Sequence, residues 1–242
     1  MQHTLIQAGF ILLTLGSFAI LFLEIKKAVN STEWSSSRKT KFTLSFLIGL
    51  IAWTSFVSIW SIGGRMGNFQ NFPFNMIPVL AVPLIVIVAF TFSRAGREIL
   101  VHIPTENIIR LQAFRFFVEL LLWALYLENQ APLQMSFEGR NWDVLSGISA
   151  PIIAFLVAKG KLSKTGLIIW NIACLALLVN ILTVAILSMP TPLRTFMNEP
   201  SNTIVTQFPV SWLPGLLVPL AYGLHFLSLR QLSIKNNESI AN

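Results

Sequence analysis

At positions 71–84 the chain reads "NFPFNMIPVLAVPL", and at 207–220 it reads "QFPVSWLPGLLVPL". An offset of 136 places Phe72 on Phe208, Pro73 on Pro209, Pro78 on Pro214 and Pro83 on Pro219. Leu80, Val82 and Leu84 then meet Leu216, Val218 and Leu220, and farther along Phe90 meets Phe226 and Arg94 meets Arg230. An apolar, proline-punctuated segment used twice predicts the same interrupted helix in each half of a duplicated fold.

The composition says what solvent those helices face. Of 242 residues, 54% are apolar and only 11% charged, and the mean hydropathy is +0.69. A soluble domain carries about a quarter charged residues, too many for this chain to match, so the bilayer is its expected partner. The formal charge of +7 does not imply nucleic acid, because the basic residues stand in short clusters between apolar runs. Clusters so placed set membrane topology and do not form a phosphate-tracking groove. The single cysteine, Cys174, lies within an apolar run and reads as a small buried hydrophobe.

Seven apolar runs approach the roughly 20 residues needed to cross a bilayer. They lie at about 4–25, 42–62, 76–92, 107–127, 142–158, 167–187 and 212–229. With the N-terminus outside, the cytoplasmic segments carry Lys26, Lys27, Arg38, Lys39, Lys41, Arg94, Arg97, Lys159, Lys161, Lys164, Arg230 and Lys235. Only Arg65, Arg140 and Arg194 fall outside, and that imbalance is the positive-inside rule at work. Trp60, Trp142 and Trp212 are expected at the outer interface. The first run lacks a preceding basic stretch and is followed by Lys26 and Lys27, so it reads as a permanent span and not a cleaved signal.

The expected fold is thus an all-α integral membrane protein of seven transmembrane helices, N-terminus out and C-terminus in. The 136-residue offset adds a 3+1+3 parallel repeat, with repeat one at about 1–94, a linker helix at about 105–127 and repeat two at about 138–230. Pro78, Pro83, Pro214 and Pro219 are the expected helix interruptions. Each lacks a backbone donor and frees a carbonyl that a neighbour, a water or a ligand must satisfy.

Chemistry concentrates in two places. In the fourth run, "NIIRLQAFRFFVELLLWALYL", Gln112, Arg115 and Glu119 fall within about 60° around a straight helix. Arg115 and Glu119, four residues apart, are placed to pair. Burying such charges is costly, so the stripe should face the interior, as a solute or proton path or as a structural ion pair. The second place is "MSFEGRNWD", positions 135–143, leading into the fifth run. Asn141 is a candidate helix cap, Asp143 suits a first helical turn and Gly139 a tight turn. Glu138 and Arg140 have no such explanation and suggest the outer wall of a pocket.

"RLQAFR" followed by "FEGRNWD" resembles an uncharacterised family of seven-pass bacterial inner-membrane proteins, and the resemblance covers most of the chain. It implies that location and brings no catalytic residue with it. The 3+1+3 layout is similar to that of SWEET sugar transporters, although their proline–glutamine motif is lacking here.

Several chemistries are disfavoured. No span contains lysine, Asp143 is the sole aspartate, and of three histidines only His225 lies in a span. A retinal Schiff base, an aspartyl dyad, paired haem ligation and a multi-histidine metal site therefore do not fit, and no cofactor is expected. The leading reading is a transporter or solute-binding protein. Gln112, Arg115 and Glu119 line its interior, and Glu138, Arg140, Asn141 and Asp143 sit at an outer gate. The three outer arginines suit a small anionic or polar solute. The alternatives are an accessory or sensor subunit bound to another membrane protein, and a lipid-modifying enzyme using Glu119 or His225 as base. A Ser149–His225 approach would favour the enzyme.

Overall fold

The computed structural model describes residues 2–240, with side chains from Thr4 to Ile234. Lys235 and His3 have side chains outside the described residues. Among the described residues the protein is all helical.

Helix α1 spans Gln2–Ser31 and α2 spans Ser36–Ile62. After a loop come α3, Ile77–Phe92, and the short α4, Arg94–Leu100, bent away from it by 73°. The fourth apolar run forms two helices, α5 at Thr105–Leu111 and α6 at Phe114–Leu127. Helices α7, Val144–Ala158, and α8, Lys164–Leu187, follow. A π-helical turn at Leu213–Leu217 leads into α9, Val218–Ile240. Serines start three of these helices by accepting a backbone N–H: Ser35 from Arg38, Ser93 from Gly96 and Ser163 from Gly166. Gly64 and Gly160, at φ 71° and 63°, take the left-handed turns that follow α2 and α7.

Among the described residues, four helices are long and apolar enough to cross a membrane: Thr4–Ser31, Ser36–Ile62, Lys164–Leu187 and Leu213–Ile234. The bent pair α3–α4 makes a fifth if it counts as one span. This is a helical protein with several apolar helices, compatible with multiple membrane passes. The fourth run differs from the single straight helix that its apolar pattern predicts. At Gln112 and Ala113 the backbone tightens, and the amides of Gln112, Ala113, Arg115 and Phe116 each bond three residues back. No proline or glycine forces the break. It coincides with Gln112, whose side-chain amide donates to the Ala221 carbonyl of α9 at 3.1 Å.

The central element is the last one. The apolar stretch of α9 and its π turn is 72% buried, whereas that of α2 is only 6% buried. Helices α3, α4, α5 and α8 pack around α9, with α1 and α7 against α5 and α6. Gln231 on α9 donates to the carbonyls of Leu100 and Ile103 at 2.7 and 2.6 Å, and Thr105 donates to its Oε1 at 2.7 Å. One buried amide thus closes the α4–α5 connection.

The prolines divide into two kinds. Pro78 and Pro214 are second residues of their helical segments, where a missing N–H costs nothing. Pro83 lies inside α3, and Pro219 follows the π turn. Pro219 cannot donate to the carbonyl of Gly215, four residues earlier, and that carbonyl instead accepts the indole N–H of Trp53 on α2 at 2.9 Å. Trp212, expected at the interface, is buried and donates to Ser58 at 2.9 Å. The two tryptophan bonds fasten α2 to the π turn.

Trp53→Phe keeps the aromatic surface but removes the N–H, and should cost about 1–3 kcal/mol by stranding the Gly215 carbonyl. In a Pro219→Ala background a backbone N–H becomes available and the cost should shrink. Unfolding of the purified protein in detergent measures both; equal costs in the two backgrounds would contradict this pairing.

Candidate functional site

Arg115, near the start of α6, is only 2% exposed and contacts three other elements. Its Nε donates to Oδ2 of Asp143 at 2.7 Å and its Nη2 to Oδ1, a bidentate pair with the residue that precedes α7. Nη2 also reaches the Cys174 carbonyl of α8 at 3.3 Å, and Nη1 meets Nε2 of His225 on α9 at 2.9 Å. A guanidinium only donates, so Nε2 accepts and the ring proton sits on Nδ1. Nδ1 in turn faces Oδ1 of Asn171 at 2.8 Å, and the Asn171 amide donates to Ser228 and to the Leu167 carbonyl at 3.1 and 2.9 Å. The chain of donors runs unbroken from α7 through α6 and α9 to α8.

The close approach of α7 to α6 makes this geometry possible. A Cβ on Gly147 would stand 2.2 Å from the Phe116 amide nitrogen, so only glycine lets α7 lie this near. Gly139 acts similarly: its Cβ would fall 2.3 Å from the Leu133 carbonyl oxygen. The 135–143 loop packs on itself there, and its conformation needs no positive φ at Gly139.

Glu119, also 2% exposed, does not pair directly with Arg115 despite the four-residue spacing. It accepts from the Asn141 side-chain amide, which also donates to the Met135 carbonyl at 3.0 Å. Asn141 Oδ1 accepts the Asp143 backbone amide at 3.2 Å, so Asn141 braces the Glu119 carboxylate and the Asp143 backbone and does not cap α7. No other hydrogen bond reaches Glu119 among the described residues.

Arg115, Glu119 and Asp143 share one wall of a cavity of about 350 Å³, and every other lining side chain is apolar. Met76, Leu80, Leu122, Leu178, Ile181 and Leu217 are among them. The cavity lies between the start of α3 and the end of α8, which barely touch, and its lining reaches the surface at Pro73 and Ile77. The loop after α8 closes another side: Asn202 bonds the Ser188 and Ala185 carbonyls at 2.9 and 3.1 Å, and Met189 and Val205 line the cavity. Farther out in that loop, the hydrogen bond from Arg194 at 2.9 Å, aided by the Ser201 amide, holds the Glu199 carboxyl below its ordinary pKa.

The remaining predicted residues stand elsewhere. Gln112 is buried but not part of the cavity lining, and its Oε1 has no partner among the described residues. Glu138 is exposed and accepts the Trp123 indole N–H at 2.8 Å, while Arg140 is exposed over the Phe196 ring at 5.0 Å. Ser149 and His225 do not meet, since Ser149 bonds Trp170 and the Ser146 carbonyl. Asn171, His225 and Ser228 are buried residues of the network that the sequence analysis did not assign to it. Their signal was available, because a polar side chain in an apolar run needs an interior partner.

Residues 102–233, more than half of the chain, match the family described as Domain of unknown function (DUF8737). The chain belongs to the DUF8737 family. No curated protein and no solved structure matches it. The matched stretch of this DUF8737 chain holds the whole polar network from Gln112 to Ser228, whereas the α3 side of the cavity lies before it.

The network fixes the His225 tautomer. Nitrogen NMR of selectively labelled protein at neutral pH should show a protonated Nδ1 and a bare Nε2, and Asn171→Ala should perturb the Nδ1 signal. A ring protonated on Nε2 would contradict the bond from Arg115.

Proposed function

We propose that this DUF8737 chain is a multi-pass membrane protein that binds a small solute in the cavity beside Glu119, and that it transports that solute. The observation carrying this reading is a buried carboxylate with an unused oxygen on the wall of a ligand-sized cavity. Ligand pockets span roughly 300–1,000 Å³, mostly apolar with a few placed polar groups, and about 350 Å³ falls within that range. Glu119 is held by a single amide and keeps bonding capacity, whereas Arg115 and Asp143 satisfy each other. We assign Glu119 to the solute and the Arg115–Asp143 pair to positioning. Arg115 and Glu119 line the cavity, which favours binding over an accessory role. The separation of Ser149 from His225 weighs against the enzyme.

The finer membrane topology belongs to the same proposal: seven passes with the N-terminus out and the C-terminus in, in a bacterial inner membrane. It is supported by the helical segments within all seven apolar runs and by the basic clusters at one set of loops. The 3+1+3 duplication is proposed on the repeated proline segments, with Pro78 and Pro214 both second in their helical segments. Glu138 and Arg140 would then act at the outer approach, away from the cavity.

A thermal-shift screen of the purified protein against sugars, carboxylates, phosphates, amines and lipids tests the binding site. A ligand at 100 times its Kd should stabilise the wild type by about 2.7 kcal/mol. The cavity-filling Ala185→Phe should abolish that shift, and Glu119→Gln should reduce it. If no class stabilises the wild type, or if the shift survives both substitutions, the cavity is not a binding site.

A further inference from the structure

The chemistry of the cavity wall narrows the ligand beyond that reading, on which this inference rests. Arg115 commits four of its five N–H groups, two to Asp143 and one each to the Cys174 carbonyl and His225. The wall therefore has almost no donor left for an anion. Its carboxylates outnumber its guanidinium by two to one, since Glu119 and Asp143 face a single Arg115 and no other lining residue is charged. The one underused group is Glu119, whose Oε1 accepts no hydrogen bond among the described residues. An anion placed here would meet two carboxylates and one nearly saturated cation. A donor, above all a cationic one, would meet a free acceptor in a largely apolar site, where a charge-assisted bond is strong.

The rest of the lining sets the other end of the ligand. Apart from those three residues the walls are apolar, so a fully polar cation such as a free sugar amine would lose its hydration over most of its surface. An alkyl body would instead gain about 25 cal/mol for each Å² removed from water. The volume of about 350 Å³ equals the liquid share of roughly a dozen waters, which suits one short alkyl chain and not a two-chain lipid. The opening points the same way. It lies between α3 and α8, where Ile77 is 45% exposed and the outer faces of both helices carry further apolar side chains such as Ile85, Ile172 and Val179. A ligand dissolved in the hydrocarbon layer reaches this mouth sideways, without crossing the outer loops.

We propose that the cavity binds a single-chain amphiphilic amine, its ammonium on Glu119 and its alkyl chain along the groove between α3 and α8. The test uses the full chain in lipid nanodiscs with tritiated decylamine, decanol and decanoate, read by scintillation proximity. Decylamine should bind the wild type at least tenfold more tightly than decanol, with decanoate weakest. Glu119→Gln should reduce that preference to about threefold or less, and Ala185→Phe should block all three. If decanol or decanoate equals the amine, or if Glu119→Gln leaves the tenfold preference intact, the amine assignment is wrong. The cavity itself stands in that case provided that Ala185→Phe still blocks binding. If none of the three binds, or if Ala185→Phe is without effect, both the amine assignment and the binding site fail. The wild-type ranking decides the ligand class even if Glu119→Gln does not fold.

Discussion

The bidentate contact between Arg115 and Asp143 is the constraint around which the rest of the structure is arranged. A guanidinium and a carboxylate without water lose several kcal/mol of hydration each, so neither is tolerated inside the bundle unless the other is held against it with its remaining bonds filled. Every neighbouring feature serves that requirement. Gly147 lets α7 close on α6, Asn141 steadies the backbone at Asp143, and His225 with the Cys174 carbonyl takes further guanidinium protons. Four helices, α6, α7, α8 and α9, are joined through one side chain.

Joining helices through a polar centre leaves a consequence at its edge. Burying the pair draws Glu119 inward as well, because it lies one turn farther along α6 on the same side. The pair does not need Glu119, which rests on a single amide and borders the cavity. A fold that needs one ion pair thereby carries a second carboxylate with spare capacity, in a space that α3 and α8 leave open. Function is proposed at that surplus. The α2 helix, fastened through Trp53 to a carbonyl that Pro219 frees and through Ser58 to Trp212, is peripheral to it.

Local chemistry was legible in the sequence to the extent that it depends on local rules. Apolar length located helical segments in every run, and serine caps and Gly64 or Gly160 mark where several begin or end. The cost of burying charge turns Arg115 and Glu119 inward, and both are buried. Partner choice was not legible, because it is tertiary. The i, i+4 spacing suggested Arg115 with Glu119, but a carboxylate from another helix offers both oxygens to the fork at once, and Asp143 takes it. Nor does hydropathy reveal which helix is central. The α9 stretch is the least apolar of the four long ones and yet the most buried. Its His225, Ser228 and Gln231, spaced by three, are polar because they face protein. The break at Gln112 had no proline or glycine to announce it, and α4 falls outside the apolar runs because its arginines mask the buried Ile99 and Leu100.

A double-mutant cycle on Arg115→Met and Asp143→Leu, followed by unfolding of the protein in detergent, tests the central pair most directly. Each single substitution should cost about 3–5 kcal/mol, because it leaves an uncompensated buried charge. The double variant should be no less stable than either single one, since it removes both charges together. If the two costs simply add, Arg115 and Asp143 are not coupled, and the bundle is held together by something other than this contact.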